Sequence, residues 1–203
     1  MQSVSTEAVL LRLRDASVCV VGSAPELLES RSGAFIDSHD VVIRMNRMPA
    51  SEHRPAQGAK TSVLTAGRIT PHSQFVHGVP ECIWWLKQTP NGDRDRGRAL
   101  QDPILREVQL WSMPHAWFFE IQDDVGAPPS AGIIVLSILA RKAQPGRVRV
   151  CGVTCWGALK EGSPTSWWKT RGPAPLPHDP EKEAAAFRRL GLVDKGGFHE
   201  SGA

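Results

Sequence analysis

No stretch of the 203 residues approaches the roughly 18 consecutive apolar residues that a membrane-spanning helix requires. The opening segment, MQSVSTEAVLLRLRDAS, holds Arg12 and Arg14 inside its apolar part and has no cleavage site. It therefore reads as a short amphipathic helix over Thr6 to Leu13 and not as a secretory signal. Cysteine is scarce, and Cys19, Cys82, Cys151 and Cys155 have no paired metal spacing. Cys151-x3-Cys155 alone is a poor half of a zinc site. The G-x-G-x-x-G fingerprint of dinucleotide-binding dehydrogenases is missing, because Gly22 is followed by Ser23-Ala24-Pro25. Asp123-Asp124 is no D-x-D metal motif and, ahead of Gly126, reads as a loop. There is no internal repeat and no long low-complexity tract.

What is present suits one soluble domain with a proper core: 41% hydrophobic residues, 22% charged residues and a formal net charge of +3. That mild positive balance fits an anionic nucleotide-sugar or an acidic membrane surface and does not call for nucleic acid.

The chain is organised around Ser17 to Asn46, SVCVVGSAPELLESRSGAFIDSHDVVIRMN. Val18 to Gly22 is an apolar run ending in glycine, the form of a buried parallel strand entering a turn. Ser23 and Glu26 stand at capping-box spacing, which predicts a helix whose first amides point back over the strand end, where an anion can sit. Val41 to Ile43 is a second apolar run leading into Arg44-Met45-Asn46. Strand, turn, helix and strand make a nucleotide-binding half of an α/β sheet.

Further along, Pro49 to Gln57 is a polar loop, TSVLT after Gly58-Ala59-Lys60 a strand, and Cys82 to Leu86 an aromatic-rich buried strand. Asn91 to Arg98 is a charged, glycine-rich loop. Asp102 to Leu110 reads as a helix with Pro103 in its first turn, and Ala116 to Ile121 as a strand. Ser130 can cap a helix from Ala131 to Ala143, stopped by Pro145-Gly146, with Val148 to Cys151 a strand after it. Gly132, one turn into that helix, leaves the first amides uncovered, so Ser130 and Gly132 can approach an anion closely. Asp179 and Pro180 open a last helix through AAAFRRL. Trp84, Trp85, Trp111 and Trp117 read as core. Trp156, Trp167 and Trp168 could equally wall a sugar or nucleotide site. His72, His77, His115 and His199 have no partner spacing.

The literal residues are more specific than the pattern. IDSHDVVIRMN, with VVG and Leu27 ahead of it, resembles the long sialyl motif of the glycosyltransferase family 29 sialyltransferases, VVGNSGNL followed by IDSHDFVxRMN. Pro129-Ser130-Ala131-Gly132, an apolar helix and then V-x-V-x-G resembles the short motif, with Ala131 for threonine and Cys151 and Val153 for aromatics. His178-Asp179-Pro180-Glu181-Lys182-Glu183 fits the very short motif H-x4-E. The third motif departs: Ser166-Trp167-Trp168-Lys169 keeps the aromatic pair but puts Ser166 at the histidine and Lys169 at the acid. Ser23 and Glu26 stand where the long motif has asparagines. Glu26 would repel a phosphate and is assigned to the capping box. The cysteines that animal members join in a disulfide align with Val18 and Ala143, so that bridge is absent, which argues for a reducing cytosol and a compact bacterial-type relative.

The resemblance implies an α/β fold of GT-A-like variant type: a single nucleotide-binding, Rossmann-like domain over 1–203, with a parallel-rich central sheet flanked by helices. The motifs would occupy 17–64, 127–153 and 178–183. It also implies inverting transfer of sialic acid from CMP-sialic acid to a hydroxyl of a glycan or glycolipid acceptor, in one displacement without metal or cofactor. His178 would be the general base, oriented by Glu183, since the residue before the cap and the fourth helical position meet. Gly22, Ser23, Asn46, Ser130, Gly132, Gly152 and Ser166 would hold the CMP-sugar, while Asp37 and Asp40 brace turns. A CMP-Kdo transferase of the same fold, or a CMP-sugar-binding protein impaired in turnover, are the competing readings. The expected location is cytoplasmic, with a peripheral membrane position compatible; the acceptor, the linkage and the oligomeric state are not legible.

Overall fold

The computed structural model describes residues 2–66, 75, 77–86, 101, 103–153 and 178–192. Among these, seven strands form one sheet: β1 (Gln2–Ser3), β2 (Ser17–Val21), β3 (Val41–Met45), β4 (Val63–Ala66), β5 (Cys82–Trp85), β6 (Gln109–Ser112) and β7 (Arg147–Cys151). Their order is β1-β6-β5-β4-β3-β2-β7, and every pairing is parallel. A parallel sheet is covered on both faces, so its inner strands are apolar throughout; β3, β4 and β5 are buried at every position. At the edge, β7 alternates buried Val148 with Arg147 and Arg149, which discourages further pairing.

Helices α1 (Thr6–Leu13), α4 (His115–Val125), α5 (Ala131–Ile138) and α6 (Pro180–Arg189) pack on one face, over Val18, Val20, Ile43, Trp84, Trp111 and Val148. The other face is covered near β2 by Leu27 and by Ile36 of α2 (Gly33–Asp37) against Cys19, Val21, Val42 and Cys151. Towards β5 and β6 that face packs Met48, Phe75, Leu105 and Val108. The chain is thus a three-layer α/β/α sandwich, as expected from its strand and helix pattern. Among the described residues no helix is long and apolar enough to cross a membrane.

Helix α1 has the expected bounds, with Ser5 as its cap. The helix after Ser130 and the one after Asp179 also stand as read; the former ends in a π turn over Leu139–Ala143. Five expectations are corrected. No capping box forms at Ser23 and Glu26: Ala24 precedes a short 3-10 helix, Pro25–Glu29, without a side-chain cap. The reason is that the Gly22 amide donates to Cys151 O and the Ala24 amide to Gly152 O, so the chain is tied to β7 before it can coil. Residues 49–57 are not all loop, since they coil into a 3-10 turn, Ser51–His53, and a one-turn helix α3 (Arg54–Gln57). The expected helix from 102 to 110 is a 3-10 turn, Pro103–Leu105, followed by β6, because Leu110 and Trp111 pair with Ile83 and Trp84 of β5. The Trp84 and Trp111 rings meet edge to face at 5.0 Å, and that tertiary contact overrides local helix preference. Conversely the expected strand from 116 to 121 is the middle of α4, whose buried Ile121 and Val125 stand four residues apart. Asp123 and Asp124 therefore lie in the last turn of α4 and not in a loop. There Asp124 accepts from Arg141 at 2.7 Å and lies 3.5 Å from Arg189.

Candidate functional site

From β2 the chain runs on to the face covered by Leu27 and α2, whereas α5 and α6, on either side of β7 in the chain, lie on the opposite face. Neighbouring parallel strands whose connections depart to opposite faces leave a crevice at their carboxyl ends, the position where open α/β sheets bind ligands. Here that crevice lies above β2 and β7.

Its floor is made of glycine for a geometric reason. The Gly22 amide donates to Cys151 O at 2.7 Å, and a Cβ on Gly22 would fall 2.0 Å from Gly152 O. Gly152 has φ +63, the left-handed region that glycine enters at no steric cost, and a Cβ there would press on Leu27. Val153 joins this floor to α5: a Cβ on Gly22 would lie 2.7 Å from its Cγ2, and one on Gly132 3.5 Å from its Cγ1. Gly22, Gly132 and Gly152 therefore surround one valine. Asn46 ends β3, next to β2, with φ 64; its amide donates to Thr65 O. Asparagine tolerates that conformation better than most side chains. Ser23 follows Gly22 at the same edge of the sheet.

Ser130 caps α5, its Oγ accepting from the Ile133 amide at 3.5 Å. Its own donors are both spent on Glu183: the amide on Oε1 at 2.6 Å and the hydroxyl on Oε2 at 2.7 Å. Glu183 is fully buried. The helix geometry of α5 leaves its first amides, those of Ala131 and Gly132, without intrahelical acceptors. Across from them, His178 precedes the Asp179 cap of α6, whose Oδ1 accepts from the Lys182 amide. The imidazole Nδ1 lies 2.9 Å from Pro128 O and 3.7 Å from Glu183 Oε1. A carbonyl oxygen can only accept, so Nδ1 carries the hydrogen of the neutral ring and Nε2 the lone pair.

Of the residues expected in a site, Gly22, Ser130, Gly132, Gly152, His178 and Glu183 come together at this crevice, with Ser23 and Asn46 on the same edge. Ser166, and with it the Ser166-Trp167-Trp168-Lys169 stretch, lies outside the described residues. Pro128 and Val153 were not expected. Val153 was noted only as a substituted aromatic, and Pro128 contributes a backbone carbonyl, for which side-chain patterns give no signal.

The remaining long-motif residues build the support. Asp40 accepts from the Ser17 amide and hydroxyl at 2.8 and 2.6 Å, and these bonds hold its carboxyl below the usual range. Asp37 accepts from the Ala59 and Lys60 amides. Arg44, 2% exposed, donates to Lys60 O, Thr61 Oγ1 and Gln57 O, and burial pushes its guanidinium down to about 10. Beneath the crevice floor the Cys19 and Cys151 sulfurs are 3.9 Å apart. Their contact raises the Cys19 thiol and lowers that of Cys151. A separate apolar cavity of about 250 Å³, lined by Val4, Val9, Leu13, Val41, Val63 and Trp84 among others, lies between α1 and the opposite ends of the strands.

Residues 11–91 match the model of one protein family, glycosyltransferase family 29 (sialyltransferase). In three dimensions the chain is similar to the crystal structure of a mammalian sialyltransferase, with a TM-score of 0.59 and 21% identity over 89% of this chain and 67% of that one. It is similar also to a mammalian sialyltransferase in complex with Gal-beta-1-3GalNAc-ortho-nitrophenol, with a TM-score of 0.58 and 20% identity over 88% and 67% of the two chains. At such identity the likeness is one of fold. A comparison with curated proteins gave no match.

Proposed function

We propose, from the match of residues 11–91 to the glycosyltransferase family 29 (sialyltransferase) model, that this chain is an inverting sialyltransferase of GT-A-like fold. It moves a sialic acid from CMP-sialic acid to a hydroxyl of a glycan acceptor. The observation that carries this reading is that His178 is bonded to the Pro128 carbonyl at the entry to α5, whose Gly132 faces Val153 beside the glycine floor at the carboxyl ends of β2 and β7.

A single displacement needs a base for the acceptor hydroxyl and charge stabilisation for the departing phosphate. His178 Nε2 takes the acceptor proton, with Nδ1–H held by the Pro128 carbonyl. The Ala131 and Gly132 amides and the close-packed Gly22 and Gly152 backbone receive the anionic part of the donor, with Ser23 and Asn46 towards the nucleotide. Ser130 serves this site through the helix it caps, because its hydroxyl proton is committed to Glu183. No covalent nucleophile is needed, nor any metal or cofactor, so EDTA should leave transfer unchanged.

The test is a hydrolysis and transfer screen in which the purified chain meets CMP-sialic acid or CMP-Kdo with mixed glycan acceptors. Labelled sialoside with release of CMP supports the proposal. Product from CMP-Kdo alone would assign the other ulosonic acid donor, and CMP binding without turnover a binding protein. Failure to bind either donor or CMP overturns the reading.

A further inference from the structure

The segment from Gly126 to Ser130 is fastened to the start of α6 at three points. Lys182 Nζ donates to Gly126 O at 3.0 Å, His178 Nδ1 to Pro128 O at 2.9 Å, and Ser130 donates twice to Glu183. The contacts to Glu183, at 2.6 and 2.7 Å, are close hydrogen bonds. The separation of 3.7 Å between Glu183 Oε1 and His178 Nδ1 is beyond hydrogen-bond reach. Glu183 is therefore not the group that directly holds the imidazole.

We propose that Glu183 is a positioning residue acting at one remove: it clamps Ser130, and through the stiff Pro128-Pro129-Ser130 segment it aims the Pro128 carbonyl that fixes the tautomer of His178. The chain forms a closed ring, from the imidazole to Pro128, along two peptide units to Ser130, across to Glu183, and back through the first turn of α6. Proline at 129 fixes one of the few soft dihedrals in that ring, so a hold on Ser130 is felt at the carbonyl two residues earlier. The division of labour suits the burial. Glu183 is fully enclosed and sees no acceptor, whereas the His178 side chain is 32% exposed. This inference rests on His178 as the base of the proposed reaction, yet the clamp itself has a signature independent of turnover.

The two arrangements respond differently to substitution. In Glu183→Gln the amide oxygen can still accept from the Ser130 amide, and the amide nitrogen can donate to Ser130 Oγ, which has a lone pair for it. The clamp survives, so transfer should fall by less than about tenfold. Glu183→Ala releases Ser130 and should cost about 10²-fold, a good part of what a general base contributes. Ser130→Ala removes one of the two bonds and should shift the ring in the same direction as Glu183→Ala, but less. Were Glu183 the direct partner of Nδ1, the Gln variant would be the damaging one, as the Asp→Asn change in a serine protease triad costs about 10⁴-fold through the wrong tautomer. Ser130→Ala would then be silent at the imidazole.

The experiment is NMR of the ¹⁵N-histidine-labelled chain without ligand, above the histidine titration range, with the His178 signals assigned from a His178→Ala sample. Transfer rates and melting temperatures are measured in parallel. Expected are a protonated Nδ1 and bare Nε2 in the wild type and in Glu183→Gln, and a tautomer mixture in Glu183→Ala. A wild-type ring protonated at Nε2, a changed tautomer in Glu183→Gln, or an unchanged one in folded Glu183→Ala overturns the clamp. If the wild type shows the expected ring but transfers nothing, the proposed reaction fails and the clamp stands.

Discussion

A Cβ on Gly22, fixed in place by the backbone, would meet the backbone carbonyl oxygen of Gly152 at 2.0 Å. No rotamer relieves it, so β2 and β7 would have to part just where the crevice floor is formed. Gly22→Ala should therefore cost about 2 kcal/mol or more in urea unfolding and abolish CMP binding. Gly132→Ala is the control, because a Cβ there meets Val153 Cγ1 at 3.5 Å and Ser130 Oγ at 3.8 Å, both ordinary contacts. It should leave stability unchanged or raise it by about 0.5–1 kcal/mol, the usual gain of Ala over Gly in a helix. Its CMP affinity should nevertheless fall, since the added methyl stands at the first turn of α5. Equal loss of stability in both variants would contradict this account of the floor.

Arg44 lies in the long motif and is a structural residue. Its guanidinium satisfies three oxygens of the 57–61 segment inside the protein. Removing it in Arg44→Ala strands those acceptors and opens a void, for about 3 kcal/mol or more of lost stability. Differential scanning calorimetry checks this. A variant that melts like the wild type but fails to bind CMP would assign Arg44 to the ligand instead.

Much of this fold was readable because residue pattern and tertiary role agree. The apolar runs at β2, β3, β4, β5 and β7 have no other comfortable place than a covered parallel sheet. Ser130 and Asp179 cap helices by purely local chemistry. Two of the failures, at 109–112 and at Ser23, have one cause, a long-range contact outvoting local preference. Residues 109–112 become a strand because Trp111 pairs beside Trp84, 27 residues away. The aromatic 116–121 segment becomes helical because its apolar positions answer to a core stripe that extends to Val125. Ser23 is not the cap because the chain on either side of it is bonded to β7 and the short helix starts after Ala24. At the site the proximity of His178 and Glu183 was legible from their spacing. What lies between them was not, because it is a carbonyl and an amide brought from 50 residues away.

Asp40 supplies a pH prediction. Its carboxyl is held low by the side-chain and backbone hydrogen bonds from Ser17, with Lys60 and His39 adding to the effect. A depressed folded-state value means the contribution is fully present above the unfolded value of about 3.9. It is lost as the pH falls through the folded one. Urea midpoints should therefore fall between pH 6 and pH 3 in the wild type, and fall less in Asp40→Asn, which starts lower and has no carboxylate there to protonate. Parallel pH curves for the two proteins would show that the brace contributes nothing.

The most direct test of the proposed chemistry is His178→Ala. A general base contributes about 10²–10⁴-fold in rate, so transfer should drop by that order. CMP, whose phosphate and nucleotide are assigned to α5 and the glycine floor, should bind nearly as before. Some stability must go too, because the substitution leaves Pro128 O without the Nδ1–H bond; for one hydrogen bond at a partly exposed ring that is about 1 kcal/mol or less. The comparison must therefore be made per folded molecule, with CMP affinity by calorimetry and transfer at saturating donor. The competing view is that His178 only fastens α6 to the 126–130 segment. On that view His178→Asn, whose amide can still reach for the carbonyl, would restore both melting temperature and rate. On the catalytic view it restores the melting temperature alone, since an amide offers no basic nitrogen to the acceptor hydroxyl. A His178→Asn protein that transfers at the wild-type rate would end the case for His178 as the base.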